Sequence, residues 1–454
     1  MTRDPLRELL NHGSDELAAD DPDLHTALTG ELRRQTRTLS LVASSSVVHP
    51  SVLASQASVA VNVTAEGYPG RRYHAGCAGV DEIERLAIDR ARKAFGARYA
   101  NVQPHSATTA NYTVLSSIMS PGETLLGMTL EQGGHLTHGS PAALAGDYFN
   151  AVGYGLDAFG AIDYEEVARL AAKHRPKVII CGATAYPRRI DFRRFRRIAD
   201  EVGAYLLADI SHTAGMVATG LHPSPIDHAH VTTTCTHKQL YGPRGGLILC
   251  GQSADLPAPS GKGTLATFLQ RAVFPFSQGA PMLNAIAAKA RALDLVTRPE
   301  FGSLIRRVAH LAEVLAQRLL ELGHDVVTGG TDNHIVLVDL TRLGMSGLVA
   351  ERALEECDIV VNKNRVPGDT TPALVTSGLR IGTNSAAWRG MGPDEARQCA
   401  ELIDLVLRHV RPSDIRQYTM DPQVRTEAST AVTRLCARFP LRAYPVAQPE
   451  VAGL

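Results

Sequence analysis

The sequence predicts an α/β fold, a mostly parallel sheet covered by helices, with a smaller second domain. Two observations carry that expectation. Short apolar runs such as KVIIC (177–181), AYLLADI (204–210) and GLILC (246–250) have strand length and little polar alternation, as strands buried on both faces do. Helical apolar spacing separates several of them, over 82–95, 164–173 and 192–202, and this alternation is the pattern of a parallel sheet. Such sheets bind ligands at the carboxyl ends of their strands.

Taken in order, residues 1–40 are polar, with Pro5 and an acidic stretch from Asp15 to Asp23, and read as an arm or a pair of short helices. A Gly-, Tyr- and Arg-rich loop, AEGYPGRRYHAG, follows at 65–76. Helix 82–95 precedes helix 106–119, which Ser106 is placed to cap. Strands follow at 124–128, 177–181, 204–210, 230–234 and 246–250. Two long helical stretches, 280–296 and 301–322, lead into the second domain. That domain holds strands at 334–340 and 359–361 and helices near 347–357, 394–409 and 425–439. The division expected is an arm at 1–45, a large domain at 46–298 and a small domain at 299–454.

Lys plus Arg and Asp plus Glu number 46 each, so the chain is formally neutral. Nucleic-acid and membrane-surface proteins carry a basic excess, so neither class is expected. No run approaches the ~18 apolar residues of a membrane span, and MTRDPLRELLNHGSDE carries charge where a signal peptide needs apolar residues. Seven scattered cysteines without a CxxC read as reduced thiols in a cytoplasmic protein.

Singly, the polar residues are weak signals. Lys238 follows a β-prone run and precedes the turn GPRGG (242–246), which must bring backbone close to something; a desolvated lysine there could form a Schiff base. Asp209 ends an apolar strand, where it could pair with a cofactor or simply cap the next helix. His135 and His138 have a spacing open to metal, but no acidic or Cys partner is near in sequence, and stacking or packing is preferred; no metal is expected. Ser106 and Thr108 stand at a helix start, where backbone N–H groups favour phosphate.

Together the segments say more. LVASS, AEGYPGRRY, YANVQPHS, GGHLTHGSP, DISHTAG, THKQLYGPRGG, GGTDNH, VNKNRVP and TSGLRIG stand in that order between about Leu41 and Val410. The set resembles serine hydroxymethyltransferase. The resemblance implies PLP fold type I with a seven-stranded sheet, pyridoxal 5'-phosphate (PLP) as cofactor, tetrahydrofolate as co-substrate, and a homodimer or tetramer with shared sites. It implies that Lys238 is the Schiff-base lysine, that Asp209 pairs with the pyridine nitrogen, and that His135 stacks on the ring. Ser106, Ala107 and Thr108 would cradle the phosphate, with Gly279 reaching the partner's cofactor. Thr184 and His212 would lie near the phenolic oxygen, and His237 and Arg244 beside the lysine. Arg380 and Ser44 would hold the substrate carboxylate. Glu66 would manage protons, and Tyr73 and Asn364 would face the folate.

The departures bear on the donor. The family writes Tyr where this chain has Thr64, and Tyr-Tyr where it has Tyr73-His74; Ser-Glu-Asn reads Ser44-Ser45-Ser46, and Gly-Gly-Gln-Gly-Gly-Pro reads Phe276–Pro281. The resemblance implies that both replaced rings lie near the reacting carbon, so that their loss leaves room for a methyl group, worth roughly 1–3 kcal/mol in a pocket. The pair Thr64 and His74 resembles the branch that makes or cleaves α-methylserine from alanine. A threonine transaldolase of secondary metabolism and an ordinary glycine/serine enzyme are the rivals; Glu66, Tyr73 and Asn364 favour a folate partner over the transaldolase. A PLP-free scaffold that binds RNA or a partner protein is disfavoured by Lys238, Asp209, His135 and Arg380.

Overall fold

The structure, a computed structural model, describes residues 4–445. A seven-stranded sheet forms its centre. In spatial order the strands are Tyr99–Asn101, Gly246–Cys250, Val231–Cys235, Tyr205–Asp209, Val178–Gly182, Thr124–Met128 and Asn150–Tyr154. Neighbours pair in parallel except around Gly246–Cys250, which runs antiparallel to both of its partners. Every residue of Val178–Gly182, Val231–Cys235 and Gly246–Cys250 is buried, because helices cover both faces.

Two strands of this sheet escape the pattern reading. Tyr99–Asn101 is three residues long, and Asn150–Tyr154 is an edge strand with only Tyr154 buried; neither presents an apolar run. The strand Gly378–Gly382 (GLRIG) also goes unread, since Gly ends it and Arg380 interrupts it. Helices agree more closely: Phe192–Val202 has the expected limits, and Leu283–Val296 begins three residues late, after Pro281.

The C-terminal part holds a four-stranded antiparallel sheet ordered Asp325–Val326, Ile335–Asp339, Gly378–Gly382, Asn362–Asn364. Helices Pro299–Glu321 and Pro393–His409 each turn a row of buried aliphatics inward. The N-terminal arm is two helices, Pro5–Asp20 and Pro22–Arg37, each opened by an Asp cap and a Pro in the first turn. Neither buries a residue. Leu39–Ser40 then pairs in parallel with Ile359–Val360, and Leu41 accepts a bond from Gly382 N (2.7 Å). The start of the chain is thereby stitched to the C-terminal sheet, which positions Ser44–Ser46.

Glycine is required where these pieces meet. A Cβ on Gly382 would lie 2.3 Å from Ala43 Cα. Gly182 has φ +132°, and a Cβ there would lie 2.1 Å from Asp209 O. None of the helices among the described residues is long and apolar enough to cross a membrane.

Candidate active site

At the carboxyl ends of the central strands opens a cavity of about 320 Å³. Its walls include Ser44, Ser106, Ala107, Thr108, His135, Thr184, Asp209, His212, His237, Lys238 and Arg244. All are residues singled out by the sequence.

Lys238 is carried by the strand Val231–Cys235 and the turn after it. Thr236 N donates to Gly245 O (3.0 Å) and Thr236 Oγ1 to Pro243 O (2.6 Å), so GPRGG braces the lysine. The close approach expected of that turn is real: a Cβ on Gly246 would lie 2.3 Å from Ser106 O. Burial lowers the Lys238 pKa, with Cys235 and Asp209 opposing and Arg380 and Arg244 adding to the shift. A lysine so placed loses its proton more easily, as attack on an aldehyde requires. Lys238 Nζ has no hydrogen-bond partner among the described residues. His237 Nε2 lies 3.3 Å from Arg244 Nη1, and Ser46 Oγ donates to His237 O (2.8 Å).

Asp209 ends Tyr205–Asp209 and is not a helix cap; Thr213 precedes the next helix, Ala214–Ala218. Its Oδ1 accepts from Ser211 N (3.0 Å) and Ser211 Oγ (2.6 Å), and Oδ2 from Asn111 Nδ2 (2.8 Å) and His138 Nε2 (3.3 Å). Burial alone would raise its pKa, but His138, His135 and Ser211 together hold the carboxylate well below its ordinary range. It is a fixed negative charge, the partner a protonated ring nitrogen needs.

The sequence placed no acid near His135 and His138. The fold corrects this, bringing Asp209 from 71 residues away to His138, so that ligand atoms of the three lie within 4.8 Å of one another. Both Asp209 oxygens and His138 Nε2 are engaged as described, and His135 Nδ1 accepts from Thr137 N (3.2 Å) and lies 2.8 Å from Thr137 Oγ1. The group reads as a hydrogen-bonded acid under an oriented imidazole. Burial, with the charge of His138, pushes the His135 pKa down to about 4, leaving a neutral ring suited to stacking.

Asn111 and Ser211 went unnoticed in the sequence, and His138 was set aside. Asn111 links Asp209, Thr137 (2.9 Å) and, through its carbonyl, Thr233 Oγ1 (2.6 Å). Only its place on Ala107–Ile118, one turn from Ser106, could have hinted at this. Ser106 caps that helix by accepting from Thr109 N (3.0 Å), and the N–H groups of Ala107 and Thr108, in the first turn, are left for an anion.

Arg380 donates Nη1 to Thr184 O (2.6 Å) and Nε to Asn362 Oδ1 (3.1 Å). Burial pushes its pKa down to about 10, and no carboxylate pairs with it among the described residues. A half-buried guanidinium bonded only to neutral oxygens can take a substrate carboxylate. Thr184 Oγ1 is spent on Gly134 O (2.8 Å). His212 stacks on His334 at 5.6 Å, and its Nδ1 is buried without a partner.

The remaining residues stand apart. Thr64, Glu66, Tyr73, His74, Gly279 and Asn364 are not among the cavity walls, and neither is Arg380, which is tied to those walls through Thr184 O. Glu66 and Gly279 adjoin each other: a Cβ on Gly279 would lie 3.4 Å from Glu66 Oε1. Tyr73 is 77% exposed, its ring 5.6 Å from that of Phe274. Asn364 Nδ2 bonds Arg365 O.

The cavity fits PLP on its own residues. An unpaired lysine, a fixed carboxylate, a neutral imidazole and a helix start with free N–H groups surround one space, and orphaned ring nitrogens of His212 and His237 lie beside it. When bound, PLP withdraws electrons from the substrate Cα; the residues here would hold its aldehyde, ring and phosphate.

A sequence model described as serine hydroxymethyltransferase matches residues 17–403. A serine hydroxymethyltransferase of Zymomonas mobilis is 48% identical over 440 residues, covering 97% of this chain and 99% of the relative. That of Rhodospirillum centenum is 49% identical over 433 residues, covering 95% and 97%. That of Acidiphilium cryptum is 47% identical over 438 residues, covering 96% and 98%. With a PLP-shaped site on a largely parallel sheet and a family match over most of its length, the chain belongs to the serine hydroxymethyltransferase family, the PLP- and tetrahydrofolate-dependent hydroxymethyltransferases of fold type I.

Proposed function

We propose that within hydroxymethyl transfer this enzyme uses alanine as the carbon nucleophile and forms α-methylserine. The observation that carries the reading is the pairing of its two departures. Cys77 Sγ lies 3.3 Å from His74 O and 4.0 Å from Thr64 O, so the two lost tyrosines vacate neighbouring positions beside Glu66. A methyl group on Cα needs such space. Arg380 would hold the alanine carboxylate and so orient the Cα–H bond, and Glu66 would manage protons as the one-carbon unit arrives. Ordinary glycine–serine interconversion is the second reading, favoured by the names of the relatives.

In this proposal the loop bearing Thr64, Glu66, Tyr73 and His74 serves a second copy of the chain. The loop lies off its own cavity; Val59 and Val61, just before it, and Phe276 and Met282, on either side of the Gly279 that adjoins Glu66, are each at least half exposed, apolar side chains suited to a subunit contact. All seven cysteines are buried and free, which supports a reducing, cytoplasmic setting.

The test follows solvent exchange of the Cα proton of alanine and of glycine by NMR, with folate-dependent products identified by mass. Alanine should exchange faster, and Thr64→Tyr should slow alanine more than glycine by roughly 10- to 100-fold. Faster glycine exchange, together with an equal effect of Thr64→Tyr on both, returns the enzyme to the glycine–serine reading.

A further inference from the structure

Lys289 lies outside the cavity and outside every motif described above. It belongs to the helix Leu283–Val296 and is 2% exposed. Its ammonium donates to Val102 O (2.7 Å), Pro104 O (3.0 Å) and Gly246 O (3.0 Å), which uses all three of its protons. Burial pushes its pKa down to about 7, with Glu84 opposing; no carboxylate pairs with it among the described residues, since Glu84 is engaged by Arg72 and Gln103. A buried ammonium without a counter-ion is costly, and methionine would fill similar volume at no such cost.

What the ammonium holds is specific. Two of its acceptors, Val102 and Pro104, lie on the segment that leads into Ser106. The third, Gly246, closes the turn that braces Lys238 through Thr236. The turn is pressed from both sides: a Cβ on Gly245 would lie 2.1 Å from Lys289 Cε, and a Cβ on Gly246 would lie 2.3 Å from Ser106 O. Gly246 N also donates to Pro104 O (2.9 Å). Glycines at both positions let the lysine and the helix start close on one strip of backbone.

We propose that Lys289 is a positioning residue for the cofactor phosphate, clamping the segment before Ser106 to the Gly245–Gly246 turn so that the N–H groups of Ala107 and Thr108 stay aimed at the anion. The lysine touches neither cofactor nor substrate; it acts through Pro104 and Gly246. The proposal rests on the assignment of Ser106–Thr108 as the phosphate cradle. It is independent of which amino acid the enzyme uses.

The test compares binding of PLP and of pyridoxal, which lacks the phosphate, to the apo-enzyme by the absorbance change on loading. Thermal unfolding of the apo form controls for fold. Lys289→Met should weaken PLP by about tenfold or more and pyridoxal by less than about threefold. Gly245→Ala, whose methyl competes for the space of Lys289 Cε, should show the same selective loss and decides the matter if Lys289→Met does not fold. Ser106→Ala controls for the cradle and should also lose PLP selectively. Equal losses for the two ligands, or none, in the clamp variants beside a selective loss in Ser106→Ala overturn the proposal. A Ser106→Ala enzyme with undiminished preference for PLP overturns the cradle assignment instead.

Discussion

Asn111 spends its whole side chain on the polar layer beneath the cavity. Its amide nitrogen serves Asp209 and Thr137 and its oxygen serves Thr233, all within a fully buried setting. Asn111→Ala would leave Thr233 Oγ1 without its partner and take one donor each from Asp209, which keeps His138, and Thr137, which keeps His135. We expect a loss of about 1–3 kcal/mol, the cost of buried polar groups left without partners, measured by urea unfolding of the apo-enzyme. The contrast with Lys238, Asp209 and Arg380 shows what a sequence exposes at this scale. Those three sit in motifs long enough to be matched to a family, whereas Asn111 is one polar residue on an ordinary helix. Its role exists only once residues 98 and 122 positions away are brought beside it. The carboxylate beside His138 went unseen for the same reason.

At the scale of elements, legibility followed burial. Strands covered on both faces announce themselves as apolar runs; Tyr99–Asn101 and Asn150–Tyr154, short or at an edge, do not. Gly378–Gly382 was hidden by a central Arg380 and by a terminal glycine on which the Ala43 backbone rests. Gly382→Ala would drive a methyl into that backbone. Overpacking of this kind costs about 1–3 kcal/mol. Because residues 41–44 would shift as a unit, we expect weaker amino-acid binding through Ser44 alongside the lost stability. Equilibrium unfolding and amino-acid titration of the holoenzyme read the two effects separately.

The molecule as a whole carries a set of buried and half-buried imidazoles whose protonation opposes folding. Burial pushes His135, His230 and His237 down to about 4 and His334 to about 3, from an ordinary 6.5. Once unfolded, each binds a proton as pH falls through 6.5; folded, each waits until about 4 or below. The unfolded chain therefore holds more protons across that interval, and stability declines as pH drops through it. Asp209, its carboxylate held low by His138 and Ser211, adds a loss of the same sign further into acid. Urea midpoints of the apo-enzyme should fall steeply between about pH 6.5 and pH 4. A flat profile there would mean that these rings are protonated in the folded state.

The stitch between the arm and the C-terminal sheet sets an order of events during synthesis. Ala43 O accepts from Asn384 Nδ2 across 341 residues of intervening chain, a closure that costs on the order of 5 kcal/mol of entropy. A ribosome delivers the arm first and its docking strands, Ile359–Val360 and Gly378–Gly382, only late. While the central sheet is being made, residues 39–46 have no strand to join, and Ser44 has no fixed place beside Lys238. On the proposed roles, the lysine side of the cavity can take shape early, whereas Ser44 and Arg380, the pair proposed to hold the carboxylate, come together only after Gly382 has left the exit tunnel.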